Sequence, residues 1–179
     1  DQVVLWMMIT DSAVDEELDK WLDILPKGSV LIDGGNSDFR LTAERAKKVA
    51  ARGSTLLDVG TSGGVWGYRN GFSMMVGGAQ DACEHIKPVL ETLAGPTGAY
   101  QYFGESGSGH FVKMVHNAIE YGMMQLIAEA YDLMQRVMRM QYTEMGRTFT
   151  EWNGGQLNSF LIEVTADVLK KSDPETGKQ

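Results

Sequence analysis

The sequence predicts a doubly wound α/β domain followed by an all-helical domain. Three observations lead to this prediction. Short apolar runs alternate with helical patterns through the first part of the chain, and two consecutive runs end in glycine-rich turns. Beyond these, only helical patterns remain. We therefore place the first domain at residues 1–106 and the second domain at residues 107–179.

The first strand and the first helix follow each other directly. Residues 3–9 form a continuous apolar run, which is typical of a strand buried on both faces of a parallel sheet. The Thr-Asp-Ser sequence at residues 10–12 can cap a helix over residues 13–25, whose apolar side chains recur at helical spacing. Pro26 then ends that helix.

The same alternation continues along the first domain. The predicted elements, in order, are a strand at 30–32, a helix at 42–51, a strand at 55–59, a strand at 72–76 and a helix at 81–93. Residues 95–109 are rich in glycine and serine, and we predict a connector there.

Three helices are predicted for the second domain. The first and longest covers residues 110–138, the second covers residues 142–152 and the third covers residues 157–171. An Asn-Gly-Gly break at residues 153–155 separates the last two helices, and the Ser-Asp-Pro sequence at residues 172–174 ends the third.

Glycine-rich turns follow two of the predicted strands, with the sequences DGGNS at residues 33–37 and GTSGG at residues 60–64. In a doubly wound sheet, ligands bind beyond the carboxyl ends of the strands. Either turn alone is equally well explained as a tight connection, but two in consecutive units favour a binding site. The Gly-Ser-Gly sequence at residues 107–109 follows no convincing strand, so we do not interpret it as a dinucleotide-binding turn.

The longest predicted helix carries an unusual polar stripe. At this spacing, a stripe normally brings aliphatic side chains into a core. Here it combines an amine, an imidazole, an amide, a carboxyl and a phenol, which suggests a helix that lines a polar cavity. The stripe consists of Lys113, His116, Asn117, Glu120, Tyr121 and Met124.

Two residues of this stripe could perform acid–base chemistry. Lys113 is predicted in the first turn of the helix, where the macrodipole would lower its pKa and make it a candidate general base. Glu120 lies about two turns further along the same side, and burial would make it a candidate general acid. The alternative for Lys113 is a solvated lysine. The alternatives for Glu120 are a surface carboxylate and an intrahelical partner of Lys113.

Composition excludes several classes of function. The chain has 179 residues and a net charge of −8, with no basic run, so we expect no nucleic-acid partner. A single cysteine, Cys83, excludes an internal disulfide. No apolar run approaches the roughly 20 residues that span a bilayer, so we expect no membrane association. The three histidines lack the spacing of a metal site, and we expect no metal.

Four stretches together resemble one enzyme family, the decarboxylating 6-phosphogluconate dehydrogenases. The most specific is GHFVKMVHNAIEYGMMQLIAEAYDLM at residues 109–134, with its K-x-x-H-N-x-x-E-Y pattern. DGGNS at residues 33–37, SGG at residues 62–64 and SFLIEVTADVLK at residues 159–170 are similar to the same family, in the same order. The resemblance implies the end of a Rossmann-like dinucleotide domain joined to the start of a helical domain.

The resemblance also implies an activity and roles for individual residues. Members of the family convert 6-phosphogluconate to ribulose 5-phosphate and CO2 without a metal, and they reduce NADP or, in some branches, NAD. Lys113 matches the base of the oxidation step, and Glu120 matches the acid that protonates the enediol. The matching substrate positions are Asn36, Ser62, Gly63, Gly64, His116, Asn117 and Tyr121, and the matching cofactor positions are Met8, Ile9, Thr10 and Asn36.

The chain is expected to be a segment of a longer protein. It enters a strand at once, without an initiator methionine, and it ends in a polar stretch. The resemblance implies that the phosphate-binding turn for the cofactor would precede residue 1 and that the basic residues for the substrate phosphate would follow residue 179. We therefore expect the segment alone to be inactive, and the full-length parent to be a cytoplasmic homodimer.

Some departures from the family leave alternatives open. Ile9 stands where many members have lysine, and the Val-Trp-Gly-Tyr sequence at residues 65–68 replaces a common acidic pair, so the cofactor is either NADP or NAD. One rival is a β-hydroxyacid dehydrogenase of the 3-hydroxyisobutyrate type, which would share the turns and Lys113 but need no equivalent of Glu120. The other rival is a non-catalytic fragment.

Overall fold

A mixed β-sheet organises the first part of the chain. The computed structural model describes residues 2–172 and 175, and in that part the sheet has five strands. They are β1 (Val4–Met7), β2 (Val30–Asp33), β3 (Thr55–Ser62), β4 (Ser73–Gly78) and β5 (Ala99–Gly104). The helices are α1 (Asp11–Ile24), α2 (Phe39–Ala51), α3 (Gly67–Asn70), α4 (Gln80–His85), α5 (Lys87–Ala94), α6 (Ser108–Arg136), α7 (Tyr142–Asn153) and α8 (Phe160–Val168).

The sheet changes direction between its third and fourth strands. Strands β1, β2 and β3 are parallel, whereas β4 runs antiparallel to β3 and parallel to β5. Residues 63–72, which join β3 to β4, contain a 3₁₀ turn (Gly64–Trp66) and the single-turn helix α3. A parallel crossover needs roughly a dozen residues or more. This connection is too short, so β4 returns beside β3 in the opposite direction.

Both faces of the sheet are covered by helices. On β2, Leu31 packs into one core with Val14 and Leu18 of α1, while Ile32 packs into the other core with Ile86 and Leu90. A strand that is buried on both faces reads as a continuous apolar run rather than an alternating one. The predicted α/β part followed by a helical part is therefore confirmed.

One predicted connector is wrong. Residues 95–109 contain β5, an edge strand on which side chains alternate between exposed and half-buried. Its short Ala-Tyr-Gln-Tyr-Phe run lies between glycine and serine residues, and these residues led to the prediction of a connector. The Gly-Ser-Gly sequence at residues 107–109 therefore does follow a strand, contrary to our expectation.

Two helix predictions differ from the structure in their extent. The predicted helix at residues 81–93 is split at Ile86 into α4 and α5, because Pro88 has no N–H to donate and its ring would clash with a carbonyl one turn earlier. Helix α8 is shorter than predicted and begins after Ser159, whose hydroxyl accepts a hydrogen bond from the Ile162 N–H. The predicted stop at Asp173 and Pro174 lies outside the described residues.

The chain divides into two compact units, Asp1–His116 and Asn117–Gln179. The second unit has its own small core between the end of α6, α7 and α8. That core is formed by Met134, Met145, Phe149, Ile162 and Ala166. Among the described residues, no helix is both long enough and apolar enough to cross a membrane.

A buried arginine ties α1 to α2. The Arg45 side chain is 4% exposed, and its guanidinium lies 2.7 Å from Asp11 Oδ1 and 2.9 Å from Asp15 Oδ2. It also lies 3.9 Å from Asp33 Oδ2 at the end of β2, and the Asp33 carboxylate is fully buried. A buried carboxylate destabilises the fold unless positive charge or N–H donors compensate it. Arg45 therefore holds two helices and the end of β2 in one arrangement.

Removing the Arg45 charge should destabilise the first unit. We expect Arg45→Met to lower the free energy of unfolding by about 2 kcal/mol, because the buried Asp33 carboxylate loses its nearest cation while the partners Asp11 and Asp15 remain partly solvated. Urea denaturation followed by circular dichroism measures this change. Arg40→Met is the matched control, because Arg40 is exposed and its ion pair with Asp38 lies at the surface. Equal loss in both variants would contradict the role given to Arg45.

The same network should appear in the pH dependence of stability. Hydrogen bonds from Arg45 lower the pKa of the Asp15 carboxyl below its ordinary value. A lowered native pKa stabilises the fold above the unfolded pKa, and this stabilisation is lost as pH falls through the native pKa. We expect stability to decrease from about pH 5 downward, with a shallower slope in Arg45→Met. Denaturation midpoints at stepped pH test this, and identical slopes would contradict it.

Candidate active site

Three segments that the sequence marked as binding elements lie along one edge of the sheet. Met7 aligns with Asp33, and Asp33 aligns with Asp58. Because β1, β2 and β3 are parallel, their carboxyl ends meet at this edge, and β3 continues beyond the other two to Ser62. The carboxyl edge of a doubly wound sheet is where ligands bind.

The segment after β1 contains three of the four predicted cofactor positions. Met8 is 61% exposed, Ile9 is half-buried and Thr10 is exposed at the N-cap of α1. The Trp6 indole N–H donates to Met8 Sδ at 3.1 Å, which fixes the thioether on the surface. The Thr10 and Ser12 hydroxyls lie 3.3 Å apart. This segment offers an apolar surface beside hydroxyl groups.

The turn after β2 is closely packed. The Gly35 N–H donates to Asp33 Oδ1 at 3.2 Å, and a Cβ on Gly35 would lie 2.6 Å from the carbonyl oxygen of Ile9. Asn36 is exposed on this turn, whereas Ser37 is buried and its Oγ has no hydrogen-bond partner among the described residues. The turn therefore holds Asn36 at the edge of the sheet, next to the segment that follows β1.

Asp38 ends that turn and caps helix α2. Its Oδ1 accepts a hydrogen bond from the Arg40 N–H at 2.9 Å. The Arg40 guanidinium also bonds to this carboxylate and, with the backbone N–H, lowers the pKa of Asp38 to about 2. The cap therefore remains ionised across the ordinary pH range and fixes where α2 starts after the turn.

The turn after β3 depends on two glycines in left-handed conformations. Ser62 is half-buried as the last residue of β3 and is paired with Ser73 of β4. Gly63 has φ 145° and Gly64 has φ 49°. A Cβ on Gly63 would lie 3.0 Å from the Phe72 ring, whereas a Cβ on Gly64 would meet nothing within 4 Å. The turn exposes backbone at the end of β3, where the sequence predicted substrate contacts.

Lys113 is buried and packs against β3. The residue is only 9% exposed, and Gly60 lies so close that a Cβ there would collide with the Lys113 side chain. Helix α6 begins at Ser108, so Lys113 lies in the second turn rather than the predicted first turn. The structure thus places Lys113 against Gly60 in the last part of β3, and Gly60 precedes Ser62 in that strand.

The start of α6 is held by a residue that the sequence analysis missed. The Asp58 carboxylate is fully buried, and it accepts hydrogen bonds from the Gly107 N–H at 2.8 Å and the His110 N–H at 2.9 Å. A Cβ on Gly109 would lie 2.7 Å from the Asp58 carbonyl oxygen and 2.8 Å from the Gly77 nitrogen. The Gly-Ser-Gly sequence at residues 107–109 therefore docks the helix onto the sheet. A single acidic residue inside an apolar strand was the available signal.

The remaining predicted residues lie further along α6. In the first unit His116 is exposed, and in the second unit Asn117 and Glu120 are half-buried while Tyr121 is 66% exposed. Because α6 is one uninterrupted helix from Ser108 to Arg136, these residues keep their predicted helical spacing.

The far end of the stripe does not meet the predicted polar environment. Met124 lines an apolar groove of about 610 Å³ within the second unit. Ile127, Tyr131 and Leu161 are among the other residues of that groove. No group of three or more His, Cys, Asp or Glu side chains in the described part of the chain could hold a metal ion.

Two family models match the chain. The NAD binding domain of 6-phosphogluconate dehydrogenase matches residues 2–104, and the C-terminal domain of the same enzyme matches residues 109–179. The decarboxylating 6-phosphogluconate dehydrogenase of Mus musculus is 44% identical over 98% of this chain. The NADP(+)-dependent decarboxylating enzyme of Bacillus subtilis (strain 168) is 43% identical over 98% of it.

Solved structures show the same similarity. Plasmodium falciparum 6-phosphogluconate dehydrogenase, solved in its apo form and with NADP+ and with 6-phosphogluconate, gives a TM-score of 0.87 at 38% identity, covering 98% of this chain and 38% of that one. Mycobacterium tuberculosis 3-hydroxyisobutyrate dehydrogenase gives a TM-score of 0.74 at 23% identity, covering 89% of this chain and 53% of that one, which is a similarity of fold alone.

The chain spans a little over a third of its relatives, namely 37% of the length of the mouse enzyme and 38% of the length of the Bacillus subtilis enzyme. Within that span the two family models cover both parts of the fold in the predicted order. The family expected from the sequence is therefore confirmed, and the chain belongs to the 6-phosphogluconate dehydrogenase family.

Proposed function

We propose that this chain is the central segment of a decarboxylating 6-phosphogluconate dehydrogenase. The parent enzyme would oxidise 6-phosphogluconate to ribulose 5-phosphate and CO2 and reduce NADP. The observation that carries this proposal is the burial of Lys113 against Gly60 of β3, near the Ser-Gly-Gly turn. The names of the similar enzymes from mouse, Bacillus subtilis and Plasmodium falciparum support the reaction.

The segment supplies only part of the cofactor site. The surface thioether of Met8 and the hydroxyl of Thr10, with Asn36 at the end of the neighbouring strand, fit the nicotinamide end of the cofactor, which needs both an apolar face and polar partners. The sequence contains no G-x-G-x-x-G turn for the pyrophosphate. NADP is favoured by the name of the Bacillus subtilis relative, and NAD stays open because of Ile9.

In the oxidation step, Lys113 would act as the general base. As a neutral amine, it accepts the proton of the C3 hydroxyl while C3 becomes a carbonyl. A bound nicotinamide cofactor would supply the acceptor for the hydride that leaves C3. Contact with β3 restricts the motion of the long lysine side chain, which favours a fixed distance to a substrate held at the turn of residues 62–64.

Decarboxylation would then need no metal. The bond between C1 and C2 breaks, CO2 leaves, and the electron pair passes to the C3 oxygen, which takes back a proton from Lys113. Glu120 would donate a proton to the former C2 of the enediol, which becomes C1 of ribulose 5-phosphate, while the hydroxyl on the former C3 would return its proton to Lys113 and become the C2 ketone. The substrate would be oriented by Asn36, Ser62, Gly63, Gly64, His116, Asn117 and Tyr121.

Four further assignments accompany this proposal. A domain boundary near Gly107 is supported by the two family models, which leave residues 105–108 between them. A homodimer and a cytoplasmic location are expected from the family resemblance, although the name of one rice relative places it in the chloroplast. No nucleic-acid partner is proposed, because the net charge is −8.

The competing functions differ at Glu120. A β-hydroxyacid dehydrogenase of the 3-hydroxyisobutyrate type would use Lys113 but would leave the substrate carboxylate in place. The likeness to such enzymes is 23% in identity, so it supports the fold and not the substrate. A non-catalytic fragment would need none of these residues.

Replacing Lys113 should abolish oxidation. We suggest a chimera in which this segment replaces the matching part of the Bacillus subtilis enzyme, with that enzyme as the positive control. Lys113→Met should lower kcat by at least about 10²-fold, because the general base is lost. NADPH and CO2 release from 6-phosphogluconate measure this. Lys87→Met, at an exposed lysine of α5, is the matched control.

Two outcomes would contradict the proposed function. One is a folded chimera that binds 6-phosphogluconate but releases no CO2 with NADP or NAD. The other is turnover of 3-hydroxyisobutyrate in its place, which would favour the rival enzyme class.

Replacing Glu120 should separate turnover from binding. In the same chimera, Glu120→Gln should lower kcat about 10²-fold with little change in substrate affinity, because only protonation of the enediol is impaired. Deuterium uptake at C1 of ribulose 5-phosphate in D2O reports that step. Glu129→Gln, at an exposed glutamate of the same helix, is the control. Equal losses of binding and turnover would instead indicate a structural role for Glu120.

A further inference from the structure

The first turn of α6 is held from a second side, by helix α2. Phe39 and Phe111 pack edge to face with ring centroids 5.2 Å apart. Next to them, Thr42 Oγ1 lies 2.8 Å from His110 Nδ1. Both Thr42 and His110 are buried, at 0% and 2% exposure. The proposed reaction assigns no role to either residue.

The partners of these hydrogen bonds favour one tautomer of His110. The Thr42 hydroxyl has one proton, and the Asp38 carbonyl oxygen accepts it at 3.1 Å. The Thr42 oxygen is then the acceptor for a proton on His110 Nδ1. His110 Nε2 is buried and has no hydrogen-bond partner among the described residues. An unpaired buried N–H is rarer than an unpaired acceptor, so the proton belongs on Nδ1.

Two anchors, one on β3 and one on α2, define the orientation of α6. The Asp58 carboxylate accepts hydrogen bonds from backbone N–H groups, which lie close to the helix axis. By itself, this contact fixes where the helix lies but does not prevent rotation about the helix axis. The bond from His110 to Thr42 is made by a side chain away from the axis, so it also resists rotation. Lys113 follows His110 by three residues and lies nearly one turn further along α6. A small rotation would swing the end of its long side chain away from β3.

We propose that Thr42 and His110 are positioning residues for Lys113, with His110 neutral and protonated on Nδ1. The proposal rests on the proposed function only for the role of Lys113 as the base. Neither side chain is required to touch the substrate. Without the hydrogen bond between Thr42 and His110, the protein would stay folded, but the Lys113 amine would lie out of position for part of the time.

The first test uses the 179-residue chain and needs no activity. Two-bond ¹H–¹⁵N correlation spectra of the histidine rings distinguish the two neutral tautomers from the imidazolium. We expect the Nδ1-protonated form for His110 at neutral pH and a changed pattern in Thr42→Val. A proton on Nε2, or an imidazolium at neutral pH, would overturn the proposal.

The second test uses the chimera described above. Thr42→Val should lower kcat about 10- to 100-fold and change KM by less than about threefold, because substrate binding does not need the base to be aligned. Thr42→Ser, which keeps the hydroxyl, should restore turnover. His110→Asn, which keeps a donor near Nδ1, should retain more activity than His110→Gln. Thr92→Val is the matched control, because its hydroxyl also donates to a carbonyl one turn earlier.

The other possible results of these experiments also support or overturn the positioning role. Full kcat in Thr42→Val would overturn the proposal, as would equal impairment of the Val and Ser variants, which would indicate packing alone. Thermal unfolding checks that Thr42→Val stays folded at the assay temperature; if it does not, the contrast between His110→Asn and His110→Gln decides. If the unsubstituted chimera lacks turnover, the proposed function fails, and the tautomer of His110 then decides whether this anchor exists.

Discussion

The buried carboxylate of Asp58 is the constraint on which the rest of this arrangement depends. A fully buried negative charge is tolerated only with compensating donors, and the amino end of a helix offers N–H groups together with partial positive charge. The N–H groups of Gly107 and His110 meet this requirement, so the start of α6 compensates the carboxylate that β3 buries. Close contact of the helix with the sheet then leaves no room for a Cβ on Gly77 or Gly109.

The position of Lys113 follows from the same contact. Once the first turn of α6 is seated on β3, the next turn passes Gly60, and the lysine side chain lies against the strand that ends in the Ser-Gly-Gly turn. The proposed base and the proposed substrate turn are thus joined by one strand. Thr42 and His110 extend this support to α2, whose own start is set by the capping residue Asp38.

Local patterns predicted the elements that are locally determined. Strands such as β2 were recognisable because Leu31 and Ile32 both enter cores, and the K-x-x-H-N-x-x-E-Y helix was recognisable from its polar stripe. Strand β5 was missed because its half-exposed edge position removes the apolar signal. The Asp58 contact was missed for a different reason: it joins residues 49 and 52 positions apart, and helical or strand periodicity carries no information about such a pair.

The Ser-Gly-Gly turn has a consequence for chirality. At Gly64 the surrounding space is open, so the restriction on this residue comes from φ and not from volume. The left-handed region is strained for an L-residue but natural for its mirror image. The site therefore selects handedness rather than size at this position: a D-alanine would keep the backbone as it is, whereas the L-alanine of the same volume would press it towards another conformation.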